Sequence, residues 1–175
     1  MGLVDDIILA MHGDLPALEH LLLENADYLE RTAYLYLSND TDVQDAISDT
    51  VLQAIRGIKK LQKPQFFKTW LTKILIRQCY RRYSKRRHDP ILIEELPVVP
   101  VAGNELSSEQ RLDLLAGLRQ LNDANRQALL MHYFNGLSIL EIAQITKLSP
   151  NTIKSQLLRG KQQLRDWLGD DYFAN

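Results

Sequence analysis

Thr152, Ser155, Gln156, Arg159 and Gln163 recur at spacings of three and four within "LSPNTIKSQLLRGKQQLR". On a helix those spacings fall on one face, and every side chain on this one is a neutral or basic hydrogen-bonding group. Asn151 and Lys154 flank the stripe at its N-terminal end. Asn, Gln and Arg match the paired donor and acceptor sites on base edges, while Ser, Thr and Lys mostly hold phosphate oxygens. The chemistry available to such a stripe is recognition of a nucleic acid rather than the making or breaking of bonds. Its first acid is Asp166, at the far end, so little on it repels a phosphate backbone.

A helix must carry this stripe, and the sequence supplies one. Ile153, Leu157 and Leu164 form the opposite, apolar side; Ser149 is a good N-cap and Pro150 suits the first turn, where a missing N–H costs nothing. Just upstream, Ser138 and Glu141 form a capping box, Ile142, Ala143 and Ile145 face inward, and Leu148 fills the turn. Two capped helices joined by a short turn predict a helix-turn-helix, whose first helix braces and whose second enters the DNA major groove N-terminus first. The plainer alternative is an amphipathic helical hairpin.

Net charge is −1 over 175 residues, but its distribution is uneven. Residues 1–50 hold eleven acids and one base, residues 51–87 twelve bases and no acid, and residues 88–123 seven acids and two bases. A solvated basic face usually interleaves Glu, so the acid-free segment points to a polyanionic partner. Enzymatic readings lack support: His12, His20, His88 and His132 have no ligand spacing with one another or with Cys79, and there is no phosphate loop or nucleophile elbow. Neither a metal nor any other cofactor is expected. No apolar run reaches the roughly eighteen residues of a membrane span, so no membrane insertion is expected. "MGLVDDIILAMHGD" lacks a basic leader region, and Asp6 rules out a myristoylation signal. With a single cysteine and no export signal, the expected compartment is the cytoplasm.

The periodicity predicts an all-α chain of two small helical domains joined by a flexible linker: residues 1–87, a linker at 88–106, and residues 107–175 with the helix-turn-helix. A first helix is expected from Asp14 to "SND" at 38–40, with Leu15, Leu18, Leu22, Leu29 and Ala33 inward. A second starts after Asp40 or Thr41 with Val43, Ile47, Val51, Ala54 and Ile58 inward, and a third spans Pro64 to Lys85 with Phe67, Trp70, Leu71, Ile74 and Leu75 on one side. "HDPILIEELPVVPVAGNE" has three prolines and no helical period, which reads as linker. Ser107 with Gln110 then forms another capping box, Leu112, Leu115 and Leu118 give an apolar face, and Asn122 or Asp123 caps a helix ending at Asn135-Gly136.

Two regions together resemble one family, the short bacterial RNA polymerase sigma factors of the extracytoplasmic-function type (sigma-70 family, group 4). The C-terminal region resembles that family's S-x-x-E-I-A, S-x-x-T-V-K-S and R-A-R-x-x-L pattern through Ser138, Glu141, Ile142, Ala143, then Ser149, Thr152, Ile153, Lys154, Ser155, then Arg159, Gly160, Lys161, Leu164. "DVQDAISDTVLQAIRGI" is similar to its D-x-x-D-x-x-Q-E-T-F segment, and "FFKTWLTKILIRQCYRRYSKRR" to its F-x-x-W-L-x-x-I-x-x-N segment. The likeness covers roughly residues 10–87 and 107–168. It departs from the family at Ser48-Asp49, where Gln-Glu is usual, at Val51 for Phe, at Arg77 for Asn, and at Gly160 for Ala.

The resemblance implies a subunit that directs RNA polymerase core to promoter DNA and helps open it, held in check by an anti-sigma factor. Asp42, Asp45 and Asp49, beside Leu52, would face the polymerase clamp. Lys73, Arg77 and Arg81, with Lys85, would track the opened strands of the −10 element, with Phe66, Trp70 and Tyr80 as aromatic neighbours able to stack on bases. Plain core packing is the competing role for Trp70 and Phe67, and a solvated helix end for the acids. Asn151, Thr152, Lys154, Ser155, Gln156 and Arg159 would read the −35 element. The alternative from the residues alone is a helix-turn-helix regulator that never joins polymerase; it would have no need of the acid-free basic helix.

Overall fold

A computed structural model describes residues 2–85 and 108–169 of the chain. These fall into two compact units, one on each side of the segment expected to be the linker. That segment, the domain boundaries at 87 and 107, and the capping residue Ser107 lie outside the described residues. All regular structure among the described residues is helical.

Among its described residues the first unit holds five helices. They are α1 (Leu3–Met11), α2 (Leu15–Glu24), α3 (Ala26–Tyr34), α4 (Asp40–Gly57) and α5 (Phe67–Lys85), with 3-10 turns at Ile58–Lys60 and Pro64–Phe66. Asp14 caps α2 as its position predicts, accepting from the Ala17 N–H. Two features differ from the sequence reading. Residues 3–11 form a helix of their own, docked on α2, where the buried Asp6 lies 3.1 Å from His20 Nδ1. The single helix expected from Asp14 to residue 37 is broken at Asn25, whose Nδ2 donates to the Leu21 carbonyl at 2.7 Å. On α2 the inner face is Leu18, as expected, with Leu21, while Leu22 is half-buried and Leu15 is turned outward at 58% exposed.

The cap of α4 is Asn39, one residue before the expected start; its side chain accepts from the Asp42 N–H at 2.8 Å. From there α4 and α5 pack along each other through Val43, Ala46, Thr50 and Ala54 on one side and Phe67, Leu71, Leu75, Ile76 and Cys79 on the other. Each large aliphatic residue buried there contributes about 1.5–3 kcal/mol. A hydrogen bond of 3.0 Å between Tyr28 and Thr72 hydroxyls ties α3 to α5.

The second unit comprises α6 (Ser108–Gln120), α7 (Asp123–Leu129), a π-helical turn (Leu130–Phe134), α8 (Ile139–Thr146) and α9 (Pro150–Leu168). Asn122 caps α7 by accepting from the Asn125 N–H at 2.9 Å. The helix expected to run to Asn135 widens at Leu130 into the π turn. His132 Nδ1 then lies 2.7 Å from the Leu137 carbonyl, and Gly136 takes the left-handed backbone of the turn at φ +67°. Leu118 is buried as expected, but Leu112 is 68% exposed. The reason is Gly117: α6 meets α9 there, where an added Cβ would lie 2.8 Å from Leu164 Cδ1. Leu112, five positions earlier, lies roughly 140° round the helix from that contact.

Candidate nucleic-acid interface

The helix-turn-helix is built from local hydrogen bonds. Ser138 Oγ accepts from the Glu141 N–H at 3.3 Å, and Glu141 Oε2 accepts from the Ser138 N–H at 2.9 Å, so each end of the capping box satisfies the other. Helix α8 stops at Lys147, whose φ of +62° is left-handed. Thr146 closes the turn: its hydroxyl donates to the Ile142 carbonyl at 2.9 Å and accepts from the Leu148 N–H at 3.4 Å. Ser149 Oγ then accepts from the Thr152 N–H at 3.1 Å and starts α9.

On α9, Ile153, Leu157, Gly160 and Leu164 are buried, matching the predicted inner side with Gly160 added. Asn151, Lys154, Ser155 and Arg159 are exposed on the other side; Thr152 and Gln156 are half-buried at its edge. The Thr152 hydroxyl is within 2.8 Å of Ser149 Oγ, so it shares the cap while remaining near the surface. Arg159 Nε donates to the Ser155 carbonyl at 3.2 Å, which leans the guanidinium back along α9 and leaves its terminal nitrogens for an outside partner. Gln163 departs from the sequence reading. It accepts from Asn125 Nδ2 at 2.9 Å, a partner on α7 that helical spacing cannot reveal.

In the first unit, α5 presents a second polar face. Phe66, at its start, is 51% exposed; Arg77, Arg81 and Lys85 are exposed, and Trp70, Lys73 and Tyr80 are half-buried along the same line. Trp70 belongs to both packing and surface. Its ring centroid lies 6.0 Å from that of Phe67, and a Cβ added at Gly57 would meet its Cζ2 at 3.2 Å. Tyr80 stacks at a tilt on Tyr83, centroids 5.9 Å apart. Spacing did not single out Arg82. It turns from the basic face toward α4, donating to Asp49 Oδ2 at 2.9 Å and lying 3.7 Å from Asp45 Oδ2.

The acids of α4 therefore differ in role. Asp42 is buried at 6% exposure and accepts from Asn39 Nδ2 at 2.8 Å. It serves the helix cap, which corrects its expected place on an outward surface. Asp45 and Asp49 stay partly exposed, and Leu52 and Ile55 stand beside them at 50% and 45% exposure. Ile55 was not singled out from the sequence, although its i+3 spacing from Leu52 places it on the same face.

Groups with strongly shifted titration lie away from both faces. Cys79 is fully buried in the α4–α5 core and burial pushes its thiol up to about 12, while burial also drives the Tyr36 hydroxyl well above its usual value. Among the described residues no group of three or more His, Cys, Asp and Glu side chains is placed to hold a metal ion, and no helix is long and apolar enough to cross a membrane.

Comparison with known proteins matches both units to one family. Residues 21–88 match the family described as Sigma-70 region 2, and residues 111–164 match Sigma-70, region 4. The ECF RNA polymerase sigma factor SigE of Mycolicibacterium smegmatis is 30% identical over 161 residues, which cover 88% of this chain and 62% of that protein. The chain thus spans less than two thirds of that relative's length. The ECF RNA polymerase sigma factor SigM of Mycobacterium tuberculosis is 28% identical over 167 residues, covering 94% of this chain and 85% of the other. In fold, the chain is similar to the sigma factor RpoE of Bartonella quintana, solved in complex with the anti-sigma factor NepR, with a TM-score of 0.57 at 24% identity over 88% of this chain and 98% of that one. With both sigma-70 regions matched in order along most of its length, the chain belongs to the sigma-70 family of RNA polymerase sigma factors, and within it to the extracytoplasmic-function type.

Proposed function

We propose that the chain acts as a dissociable subunit that brings RNA polymerase core to particular promoters and helps to open them. The observation that carries this reading is the pairing of two separate polar faces, neutral-to-basic on α9 and basic on α5, on two compact units. In this reading Asn151, Lys154, Ser155, Gln156 and Arg159 read the upstream element, and Thr152 sets the helix start while reaching a phosphate. Arg77, Arg81 and Lys85 track the backbone of the opened −10 strands, with Lys73 beside them, and the exposed Phe66 with the outer edge of Trp70 offers a stacking surface for an extruded base. Tyr80 borders that surface.

Asp45 and Asp49, with the exposed Leu52 and Ile55, form the patch for polymerase core: acids that select a basic partner surface beside apolar area that supplies affinity. The chain contributes recognition, and the chemistry of RNA synthesis belongs to the polymerase, so no catalytic residue or cofactor is assigned. Its place of action is the cytoplasm, its boundaries are 1–87 and 107–175 around a linker at 88–106, and an anti-sigma factor is its expected antagonist.

Run-off transcription with core polymerase and a genomic promoter library tests the reading. Defined start sites that depend on the added chain are expected. Sequence-specific DNA binding with no transcription and no co-elution with core enzyme would instead make it a helix-turn-helix regulator. Changing Asp45 and Asp49 to Lys should abolish co-elution while leaving the helical signal intact. Asp42 is kept, because its carboxylate is buried and holds the side chain of Asn39, which caps α4.

A further inference from the structure

Gly160 sits in the middle of the DNA-reading helix, on its buried side, where glycine is the poorest helix former short of proline. Its surroundings give it a use. A Cβ built there would lie 3.0 Å from Leu129 Cδ1, 3.1 Å from Leu129 Cγ and 3.4 Å from Asn125 Cβ. Leu129 and Asn125 are both on α7 and both at 4% exposure, so neither has room to swing out. The same Asn125 reaches along α9 to hold Gln163 at 2.9 Å. One turn of α7 thus grips α9 twice, through contact at Gly160 and a hydrogen bond at Gln163. Arg159 is the neighbour of Gly160 in sequence, and Gln156 and Ser155 lie one turn before it.

The geometry points to Gly160, Leu129, Asn125 and Gln163 as a positioning lock that sets how far α9 stands off from α7, and so how its reading face enters the major groove. The inference rests on the reading of α9 as the upstream-element reader. None of the four is assigned a contact with a base. A methyl group at position 160 pushes against Leu129 and forces α9 outward by a few tenths of an ångström. Bidentate base contacts tolerate such a shift poorly, whereas phosphate contacts from flexible Lys and Arg side chains follow it. Preference for the right upstream sequence falls while general DNA affinity is kept. A side chain that merely holds the fold together would lower both.

The test is promoter binding by the full chain with core polymerase, on DNA with the upstream element intact or scrambled. Alongside it run a thermal melt and a second DNA set with the −10 element scrambled. Gly160→Ala should lose about fivefold or more of the intact-to-scrambled ratio, the equivalent of part of one base contact, with binding to upstream-scrambled DNA unchanged. Combining it with Leu129→Val, which removes one carbon where alanine adds one, should restore the ratio. Asn125→Ala keeps Gly160 and Leu129 in place and should reduce the ratio in the same direction, and it remains informative even where Gly160→Ala fails to fold. A wild-type ratio kept by Gly160→Ala or by Asn125→Ala overturns the lock, as does equal weakening on every DNA. If the unaltered chain shows no upstream preference at all, the assignment of α9 as reader falls, and the lock with it.

Discussion

Arg159 and Arg81 bring the same guanidinium to two different surfaces, and salt and sequence can separate their work. Arg159 stands on the outward face of α9, braced by the Ser155 carbonyl, beside side chains suited to base edges. If its terminal nitrogens pair with a guanine, Arg159→Ala costs about 1–3 kcal/mol on the preferred promoter and little on DNA with a scrambled upstream element. Arg81 is exposed on α5, where the expected partner is a phosphate. Arg81→Ala should weaken binding with little regard to upstream sequence and reduce the salt slope by about one unit. Binding measured at several salt concentrations on both DNAs checks the pair. If Arg159→Ala weakens every DNA equally while Arg81→Ala alters only upstream preference, the two helices have been assigned the wrong way round. Arg82, next in sequence to Arg81, belongs to neither set, because Asp49 and Asp45 claim it.

Elements whose ends are fixed by neighbouring residues were legible from the sequence. The start of α2 at Asp14, the capping box of α8 and the Ser149-Pro150 start of α9 are all interactions over three residues, and each appears where the spacing puts it. What escaped depends on distant partners. Residues 3–11 carry two adjacent aspartates that spoil an amphipathic pattern, and Asp6 becomes tolerable inside only because His20, fourteen positions away, meets it. Gln163 looks like a reader until Asn125, thirty-eight positions away, is seen to hold it. Asp42 looks like a surface acid until Asn39 draws it into the cap. The turn of the helix-turn-helix offers a direct test of local strain. Lys147 adopts φ +62°, a conformation that costs an L side chain about 1 kcal/mol and glycine much less. Lys147→Gly should therefore raise the melting temperature of the second unit, as followed by circular dichroism. A fall would mean that the Lys side chain contributes more than its backbone costs.

At the scale of the whole molecule, the proposed organisation is two units joined through 88–106, where Pro90, Pro97 and Pro100 interrupt any helical period. Limited proteolysis of the chain free of partners should cut within that segment first; a first cut between 20 and 85 would count against the boundary. The two units can also be followed separately, because the chain carries only one cysteine and it lies in the first. Cys79 is sealed in the α4–α5 core with its thiol pushed up to about 12, so in the folded protein it is both unreachable and protonated across ordinary pH. Thiolate is the reactive form, and it becomes available only when the first unit opens. Labelling by a small disulfide reagent is then a clock for that event alone. Its rate should stay slow when the second unit is destabilised by Leu129→Val, and should rise when a cavity is cut beside α5 by Leu75→Ala. Rapid labelling of the intact native chain would show that this core opens far more often than its packing implies.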